Sequence, residues 1–431
     1  MTDNLKVLTK YWGKINPLRI EDYICVGGYM ALEKFIFKMN PEEAILEIKK
    51  SGLRGRGGAG FPTGDKLEMV ARNSPCGVNF DYKIIPTSRD TPQGKKYFIC
   101  NLEESEPGTY KDRLIVDNNP HLLLEGIIIS ALSIEAKKAY IYINGNYEKQ
   151  KEILEIAISQ AKEKKYWGEN ILGSNYNLEI EIYSGAGAYI CGEETALINS
   201  IESNRGEPKI RPPFPTEAGL FGCPTAVSNT ETISNIPWII SNGGERFARI
   251  GSKNSPGTKL FILSGAVAKP GIYEAPTGIN VRKLIDQYAG GIKKGKEFWF
   301  AQIGGACGKL LLEKELKAKM EFCVGTGRDL SVQMGSGSIL VVDKSVNIHD
   351  LLISWTDFFR RESCGKCVPC REGTFRLWEI AKRFRDGKIS DRDKTAVEDI
   401  LWTLDNTTFC PLGKFAGTAF RDAITKNILT F

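Results

Sequence analysis

The chain has 431 residues, which is enough for about three domains, and its composition of 42% hydrophobic and 26% charged residues excludes a disordered or fibrous protein. The 58 basic and 52 acidic residues give a net charge of +6 without long Lys/Arg runs, so nucleic acid is not an expected partner. The longest apolar stretch, Leu122 to Ile134, contains Glu125 and falls short of the roughly 18 residues of a membrane span.

The cysteines and histidines narrow the class of protein. The eleven cysteines are an odd number and most lie far apart, so a disulfide framework is not expected and a reducing compartment fits better. The first residues lack the basic-then-apolar run of a secretory signal, and the chain is therefore predicted to be cytoplasmic. Only two histidines occur, His121 and His349, and we interpret both as structural because neither has a metal-type neighbour at ligand spacing.

The first 50 residues carry helical patterning. Tyr29, Leu32, Phe35 and Ile36 fall on one helical face, and a second helix is predicted to begin at Pro41.

A glycine-dense segment, 52–64, then interrupts the periodicity. It contains G-x-G-x-x-G at Gly55, Gly57 and Gly60, where missing side chains let backbone N–H groups approach a phosphate or a flat ring. The pattern alone is weak, because the preceding residues are helical and Pro62 interrupts the continuation. A purely structural glycine loop is the alternative.

From residue 96 to 247, short β-branched or aromatic runs alternate with helical runs. The predicted strands are 97–100, 139–143 and 178–183, and the predicted helices are 122–134 and 153–161. This alternation predicts an α/β domain with a largely parallel sheet. The Pro, Gly, Asn and Asp content of 73–96 predicts a long surface insertion.

Two polar segments follow predicted strands of this domain. Residues 100–113 (CNLEESEPGTYKDR) follow the first strand, and residues 183–197 (YSGAGAYICGEETAL) lead from the third strand through glycines into a helix. Open α/β sheets bind ligands at the carboxyl ends of strands and at helix N-termini. The alternatives are a solvated charged loop for the first segment and an acidic helix cap for the second.

Residues 259–342 are predicted to form a β-grasp module without a catalytic constellation. The order is a strand at 259–263, a turn at 269–271, a second short strand, a helix at 281–288 and a later strand at 338–342.

From residue 347 onward the sequence predicts a small helical bundle. One helix is marked by Phe375, Trp378, Ala381 and Phe384, and another by residues 397, 400, 401 and 404.

Four cysteines in this bundle carry the strongest chemical signal. Cys364, Cys367 and Cys370 stand at a spacing of three, and Cys410 follows farther on beside a proline. Four thiolates in such a pattern supply the ligands of a cubane iron-sulfur cluster. A zinc site is the rival, less favoured because structural zinc more often pairs two C-x-x-C units. Coincidental core cysteines are the third interpretation.

Taken in order, these segments, together with 211–215 (RPPFP) and 228–232 (SNTET), closely resemble the NADH-binding, FMN-carrying flavoprotein subunit of respiratory complex I. Diaphorase subunits of NAD-linked hydrogenases and formate dehydrogenases share the same motifs. The resemblance runs from about residue 20 to 425. It implies an α/β fold: N-terminal helices and a Rossmann-like FMN/NADH-binding domain at 1–250, a β-grasp (soluble-ligand-binding) domain at 257–342 and a helical bundle with a 4Fe-4S cluster at 343–431.

The resemblance also implies FMN, NAD(H) and a 4Fe-4S cluster as cofactors. The residues expected around FMN are Gly55, Arg56, Gly57, Lys66, Asn101, Glu103, Ser105, Tyr189, Gly192, Glu193, Asn229 and Thr232. The residues expected at NADH are Gly58, Phe61, Glu106, Glu194, Arg211 and Phe214, with Phe61 and Phe214 near the adenine. The expected cluster ligands are Cys364, Cys367, Cys370 and Cys410. No catalytic acid or base is expected, because hydride transfer needs only stacking, distance and exclusion of water.

Five positions depart from the family pattern. Asp is commoner where Glu103 stands, Trp at Leu67, an aromatic residue at Met69, Lys at Arg211 and Asn at Ser228. These changes concern adenine packing and flavin hydrogen bonding, so they bear on NADH affinity more than on the chemistry.

The leading hypothesis is an electron-entry subunit of complex I, a peripheral component at the cytoplasmic face of the membrane. A flavin must stand between NADH, a two-electron donor, and a one-electron cluster. The expected partners are a thioredoxin-like 2Fe-2S subunit and a larger multi-cluster iron-sulfur subunit, with Lys366, Arg371 and Arg376 on the interface. The alternatives are a diaphorase subunit of a soluble hydrogenase, formate dehydrogenase or bifurcating complex, and a non-enzymatic iron-sulfur or zinc scaffold.

Overall fold

A computed structural model describes residues 5–73, 95–322 and 331–430. Most of the insertion predicted at 73–96 therefore lies outside the described residues. The helices are α1 (Ile20–Cys25), α2 (Met30–Lys38), α3 (Pro41–Ser51), α4 (Thr63–Arg72), α5 (Lys111–Asn118), α6 (Pro120–Ser133), α7 (Glu148–Glu163), α8 (Glu194–Ile201), α9 (Pro215–Ala218), α10 (Thr230–Ser234), α11 (Ile236–Asn242), α12 (Gly244–Ala248), α13 (Val281–Lys283), α14 (Ile348–Glu362), α15 (Val368–Arg385), α16 (Asp391–Thr407), α17 (Pro411–Ala416) and α18 (Thr418–Thr425). The strands are β1 (Tyr97–Leu102), β2 (Lys138–Asn144), β3 (Glu179–Gly185), β4 (Thr225–Asn229), β5 (Gly251–Ser252), β6 (Ser255–Pro256), β7 (Thr258–Gly265), β8 (Gly271–Pro276), β9 (Phe298–Ile303), β10 (Lys309–Leu312), β11 (Lys319–Glu321), β12 (Ser331–Gln333) and β13 (Ser338–Asp343).

The N-terminal helices begin and end where the local sequence dictates. Helix α3 starts at Pro41, as predicted, because Asn40 and Glu43 form a reciprocal capping box around its first turn. It ends at Gly52, which adopts a left-handed conformation with φ of 62°. The glycine-dense segment therefore begins with a helix stop.

A four-stranded sheet lies at the centre of the first half of the chain. Its order is β3-β2-β1-β4 and every neighbouring pair is parallel, which confirms the predicted α/β layering. The apolar run at 122–134 forms α6, which is buried along almost its whole length against this sheet. Strand β4 was not predicted, because its five residues include Ser228 and Asn229. The sheet reverses its order at β1, where open α/β sheets form a crevice.

His121 is structural, as predicted. Its Nδ1 lies 3.0 Å from the Tyr29 hydroxyl and its Nε2 lies 3.2 Å from the Gln160 amide oxygen. Burial lowers the pKa of His121 to about 4, so the ring is neutral at physiological pH. The ring of His349 stacks on Phe384 in the bundle.

The predicted β-grasp module is present with more strands than the sequence indicated. Its five-stranded sheet has the order β10-β9-β13-β7-β8. Three of its strands were predicted: β7 and β13 are parallel neighbours in the centre, and the second short strand is β8, which pairs antiparallel with β7. Glu274 on β8 accepts hydrogen bonds from the backbone N–H groups of Val7, Leu8 and Thr9, so the N-terminal segment is fastened to this sheet.

Helices α14 to α18 form the predicted bundle, with one correction to the predicted core face. Ala381 and Phe384 on α15 are buried, but Phe375 and Trp378 are only half-buried, and the Trp378 ring lies between Arg360 and Lys382, whose cationic groups stand 4.4 and 4.3 Å from a ring centroid. The predicted repeat of three residues rotates steadily around a helix, because one turn holds 3.6 residues. The core face instead contains Leu377 and Ile380.

Eight of the described cysteines are free thiols, in keeping with the absence of a disulfide framework. Cys223 is the exception to this expectation, because it is disulfide-bonded. Within the described residues, no helix combines the length and apolar character needed to cross a membrane.

Candidate functional site

The carboxyl ends of the four parallel strands bring polar residues to one edge of the sheet. Asn101 lies near the end of β1, Asn144 ends β2, Gly185 ends β3 and Asn229 ends β4. The strand register pairs Asn101 with Asn229 and Asn144 with Gly185. The segment after β1 therefore lies at the carboxyl edge of the sheet, the position at which open α/β sheets bind ligands.

Glu103 lies in this edge with half of its carboxylate unpaired. Its Oε1 accepts hydrogen bonds from the Ser105 hydroxyl at 2.7 Å and the Asn144 amide at 2.8 Å. Its Oε2 is buried and has no hydrogen-bond partner. Burial raises the pKa of Glu103 from 4.5 to about 7. A buried acceptor without a donor marks a place where a ligand hydroxyl or N–H group would fit.

Replacing Glu103 with Gln in the flavin-free protein should change how stability depends on pH. Between pH 4.5 and about 7 the folded protein holds more protons at Glu103 than the unfolded chain does, so this group's contribution to stability falls as the pH rises. Gln does not titrate, and the melting temperature of Glu103→Gln should rise relative to wild type across that window. Thermal unfolding in a pH series measures the difference, with the exposed Glu152→Gln on α7 as control. A difference that does not vary with pH would contradict the raised pKa.

The glycine loop packs on the same edge and leaves open space beside it. The Gly55 N–H donates to the Phe61 carbonyl at 2.8 Å, which closes the loop on itself. A Cβ on Gly57 would lie 3.2 Å from Asn229 Cβ, whereas a Cβ on Gly58 would meet no atom within 4 Å. Helix α4 begins directly after Pro62, so the loop does open into a helix, contrary to the interpretation that Pro62 interrupts it.

Two predicted FMN residues, Arg56 and Thr232, build this loop rather than line the open space. The Arg56 guanidinium is fully buried and donates to the backbone carbonyls of Arg54, Pro256 and Thr258. The Arg56 N–H donates to the Thr232 hydroxyl at 2.7 Å. Their side chains thus join the loop to the strands that lead into the β-grasp sheet.

Glu193 and Glu194 stand at the start of α8 with two cations. The Glu193 carboxylate accepts from the N–H groups of Thr195 and Ala196 at 2.9 and 3.0 Å, so the helix-cap interpretation is correct for this residue. Arg211 pairs with Glu193 and lies 3.1 Å from Glu194. Lys66 lies 3.0 Å from Glu194 and donates to the Val227 carbonyl.

The predicted adenine residues are exposed, and Glu106 turns elsewhere. Phe61 and Phe214 have exposed fractions of 44% and 47%. The Lys66 Nζ lies 5.8 Å from the centroid of the Phe61 ring. The Glu106 carboxyl packs against the β-grasp loop, where a Cβ on Gly305 would lie 2.3 Å from its Cδ. Burial raises the pKa of Glu106.

A short 3₁₀ turn, Tyr189–Gly192, connects three parts of the molecule. The Gly192 carbonyl accepts from the Asn101 amide at 2.9 Å, on the sheet edge. The Tyr189 N–H donates to the Glu362 carboxylate at 2.9 Å, at the end of α14, and its hydroxyl lies 3.5 Å from Cys307 Sγ in the β-grasp module. Sequence reasoning missed Glu362 and Cys307, because nothing local marks a contact between residues so far apart.

A buried charge network also escaped the sequence analysis. The Lys111 Nζ lies 2.7 Å from Asp112 and 3.2 Å from Glu231, and the Lys259 Nζ also pairs with Glu231. Asn229 donates to Asp112 at 2.7 Å, which fixes the end of β4 to this network. All four charged side chains are almost fully buried. The network therefore holds the end of β4 in place at the carboxyl edge of the sheet.

The four cysteines of the bundle line one cavity. Cys364, Cys367, Cys370 and Cys410 share it with Ile190, Pro208, Ser363, Lys366, Phe409 and Leu412. Cys367 and Cys410 stand at the N-caps of α15 and α17, and burial raises the pKa of the Cys410 thiol. Burial raises the pKa of the Cys370 thiol to about 12, so ligation must release its proton.

The donor set fits an iron-sulfur cluster. No carboxylate or imidazole lines the cavity, and four thiols are the usual ligands of a 4Fe-4S cluster. Throughout ranges 5–73, 95–322 and 331–430, no three His, Cys, Asp or Glu side chains converge to hold a single metal ion. At the sheet edge, the unpaired Glu103 oxygen and the open space at Gly58 fit a flavin in the same sense.

Lys366 is exposed, as expected, and its Nζ lies 3.1 Å from Glu207 and donates to the Pro208 carbonyl at 2.9 Å. Arg371 and Arg376 keep exposed side chains, at 49% and 58%.

Three family models match successive parts of the chain. They are the Nuo51 FMN-binding domain at residues 48–238, the SLBB domain at 261–306 and the NADH-ubiquinone oxidoreductase-F iron-sulfur binding region at 350–427. The first contains the sheet edge and the last contains the four-cysteine cavity.

Similar proteins cover nearly the whole chain. The F subunit of NADH-quinone oxidoreductase from Aquifex aeolicus is 42% identical over 98% of this chain and 92% of its own length. The F 2 subunit of the Rhizobium meliloti enzyme is 40% identical over 94% and 91%. A solved NAD+-reducing [NiFe]-hydrogenase superposes with a TM-score of 0.80 at 30% identity. The superposition covers 98% of this chain and 65% of the hydrogenase chain. The chain belongs to the family of NADH-quinone oxidoreductase F subunits, whose members oxidise NADH with FMN and pass electrons to a 4Fe-4S cluster.

Proposed function

We propose that this chain oxidises NADH at the carboxyl edge of the parallel sheet and delivers single electrons through the four-cysteine cavity to another subunit of an NADH-quinone oxidoreductase. The observation that carries the proposal is the Tyr189–Gly192 turn. Gly192 is hydrogen-bonded to Asn101 at the sheet edge, and Ile190 lines the cysteine cavity. One turn of chain therefore separates the two sites, which suits short-range electron transfer.

The cofactor residues in this proposal are those named above. FMN, when bound, supplies the chemistry that accepts a hydride and releases electrons one at a time. Asn101, Glu103 and Ser105 present polar side chains where its polar groups would lie, and Gly57 and Gly58 leave room for its approach. Phe61, Phe214, Glu194 and Arg211 would hold NADH, the phenyl rings by stacking and the guanidinium by pairing with phosphate, whereas Lys66 would contact FMN.

In the same proposal Cys364, Cys367, Cys370 and Cys410 bind the cluster, and residues 1–250, 257–342 and 343–431 form the three domains. The described residues hold one cavity lined by four cysteines, so electrons must leave to a partner. The exposed apolar residues Val368 and Phe409 adjoin two of these cysteines, with exposed fractions of 57% and 53%. We assign this surface to a larger multi-cluster iron-sulfur subunit, with a thioredoxin-like 2Fe-2S subunit also in the peripheral arm of the membrane complex, at its cytoplasmic face.

A second candidate is a diaphorase subunit of a soluble NAD-linked hydrogenase. The likeness to the hydrogenase chain favours it, although that chain is longer and less identical than the relatives from NADH-quinone oxidoreductases. Purification of the native complex distinguishes the two, because a hydrogenase partner and a quinone-reducing assembly have different cofactors and activities.

The direct test is spectroscopic. The purified chain should show flavin and iron-sulfur absorption, and NADH should bleach the flavin band under anaerobic conditions. A colourless protein that contains zinc would contradict the proposal and support the alternative of a non-enzymatic zinc scaffold.

Replacing Glu194 with Gln should weaken discrimination against NADPH. A carboxylate near the adenosine ribose repels a 2′-phosphate and accepts a hydrogen bond from the ribose hydroxyl. The ratio of kcat/KM for NADH over NADPH should fall by roughly tenfold, equivalent to ~1.4 kcal/mol. Glu202→Gln, at the other end of α8 and paired with Lys209, is the matched control. If the ratio were unchanged, the specificity role would pass to Glu106 or to the loop around Arg211.

A further inference from the structure

One segment, residues 205–211, touches both the cluster loop and the acidic start of α8; we name it the strap. At its first end, Arg205 Nη2 donates to the Cys364 carbonyl at 2.6 Å. Lys366 reaches back from the cluster loop to the Pro208 carbonyl at 2.9 Å and to Glu207 at 3.1 Å. The strap therefore holds the loop that carries three of the four cysteines.

The other end of the strap is tied to Glu193 and Glu194. The Lys209 N–H donates to the Thr195 hydroxyl at 2.9 Å, and this hydroxyl donates to the Glu193 carboxylate. Arg211 pairs with Glu193 and lies 3.1 Å from Glu194. A single run of seven residues thus connects these carboxylates to the Cys364 carbonyl.

The strap is also part of the wall of the cluster cavity. Pro208 is buried and lines the cavity beside Cys364 and Cys367. Arg205, by contrast, is exposed, so its side chain can be removed without opening a core. The contact between Arg205 and Cys364 is a charge-assisted hydrogen bond next to a ligand residue, and such contacts tune the potential of a metal centre.

We propose that the strap couples nucleotide binding to the cluster, with Arg205 as the positioning residue that transmits the coupling. This inference rests on the proposed function. A bound nucleotide places a diphosphate near Arg211, and the diphosphate competes with Glu193 and Glu194 for the guanidinium. Movement of Arg211 displaces the strap, and the strap changes the contact that Arg205 makes with the cluster loop. Nucleotide occupancy therefore alters the potential of the cluster before any electron moves.

The test uses the full chain purified with FMN and its cluster, and ADP-ribose as the probe. ADP-ribose has the diphosphate and adenosine of NADH but no nicotinamide, so it cannot reduce the flavin. The cluster is titrated with dithionite and followed by EPR, with and without saturating ADP-ribose. In wild type we expect ADP-ribose to shift the midpoint potential or the EPR line shape of the cluster.

Three variants distinguish an effect transmitted by the strap from the effect of removing a positive charge near the cluster. Arg205→Gln should lower the midpoint potential, because a cation that favours the reduced cluster is lost, and should also abolish the response to ADP-ribose. Arg371→Gln is the matched control: Arg371 donates to the Gly365 carbonyl in the same loop at 2.7 Å but belongs to α15. It should lower the potential and keep the response. Arg205→Lys, which keeps a cationic donor, should restore part of the response.

The outcomes are separable from those of the proposed function. If NADH fails to bleach the flavin of the wild-type chain, the proposed function and this inference both fall. If NADH bleaches the flavin but ADP-ribose leaves the wild-type cluster unchanged, the inference alone is overturned. It is also overturned if Arg205→Gln responds to ADP-ribose as fully as Arg371→Gln does, whereas loss of the response in Arg205→Gln alone supports it.

Discussion

Replacing Cys367 with Ser is expected to abolish electron transfer to the partner subunit while leaving FMN bound. Cys367 lies at the N-cap of α15 and lines the cysteine cavity, and a serine hydroxyl is a poor substitute for a thiolate ligand. The glycine loop, the segment after β1 and the start of α8 lie on other elements, so the flavin edge should persist. Transfer to the physiological acceptor should fall by more than the roughly 10–100-fold that loss of an outer-shell contact costs.

Three measurements on Cys367→Ser decide the matter. Iron and acid-labile sulfide should fall, the flavin content should stay near that of wild type, and NADH should still bleach the flavin. The exposed free thiol of Cys25 provides the control, since Cys25→Ser should change none of these quantities. Loss of both flavin and cluster from Cys367→Ser would show that the two sites do not fold independently.

Replacing Glu231 with Gln should destabilise the whole chain by about 3–5 kcal/mol, because it breaks a buried ion network by removing one partner. Burial alone would raise the pKa of Glu231, but attraction by Lys259 and Lys111 outweighs burial and holds that pKa below its ordinary value. Without this charge, the two buried ammonium groups share only Asp112. Urea unfolding at neutral pH measures the loss. Glu297→Gln removes the exposed partner of Lys344 and should cost less than about 1 kcal/mol.

The deficit of Glu231→Gln should depend on pH in a defined direction. Burial lowers the pKa of Lys259 to about 8 in the native protein, and loss of Glu231 should lower it further. A lysine whose pKa is lower folded than unfolded binds fewer protons in the native state, so stability rises with pH. The deficit should therefore shrink as the pH is raised towards about 8 and level off above it. A deficit equal at about pH 6 and about pH 9 would show that the charge of Lys259 does not contribute to the loss of stability.

Much of the local structure was predictable because local forces determine it. The capping box of Asn40 and Glu43 placed the start of α3, and alternating runs placed β1, β2, β3 and α6. The three-residue pattern in α15 was a poor guide, because residues nine apart point to opposite sides of an α-helix. Strand β4 was missed for a related reason: its five residues carry little periodicity, and its pairing with β1 stabilises it.

In the candidate site, too, some features were predictable from the sequence and others were not. The sequence alone located the four cysteines and the glycine loop, because residue type and spacing mark both, whereas the cofactor role of the glycine loop came only from the family resemblance. Only the tertiary structure decided that the Arg56 guanidinium turns into the molecule, that Lys366 is held by Glu207 and that Tyr189 contacts Glu362. These contacts join residues far apart along the chain, and folding brings them together through packing and burial of charge. No periodic pattern or spacing in the sequence predicts these contacts, because the two partners become neighbours only in the folded structure.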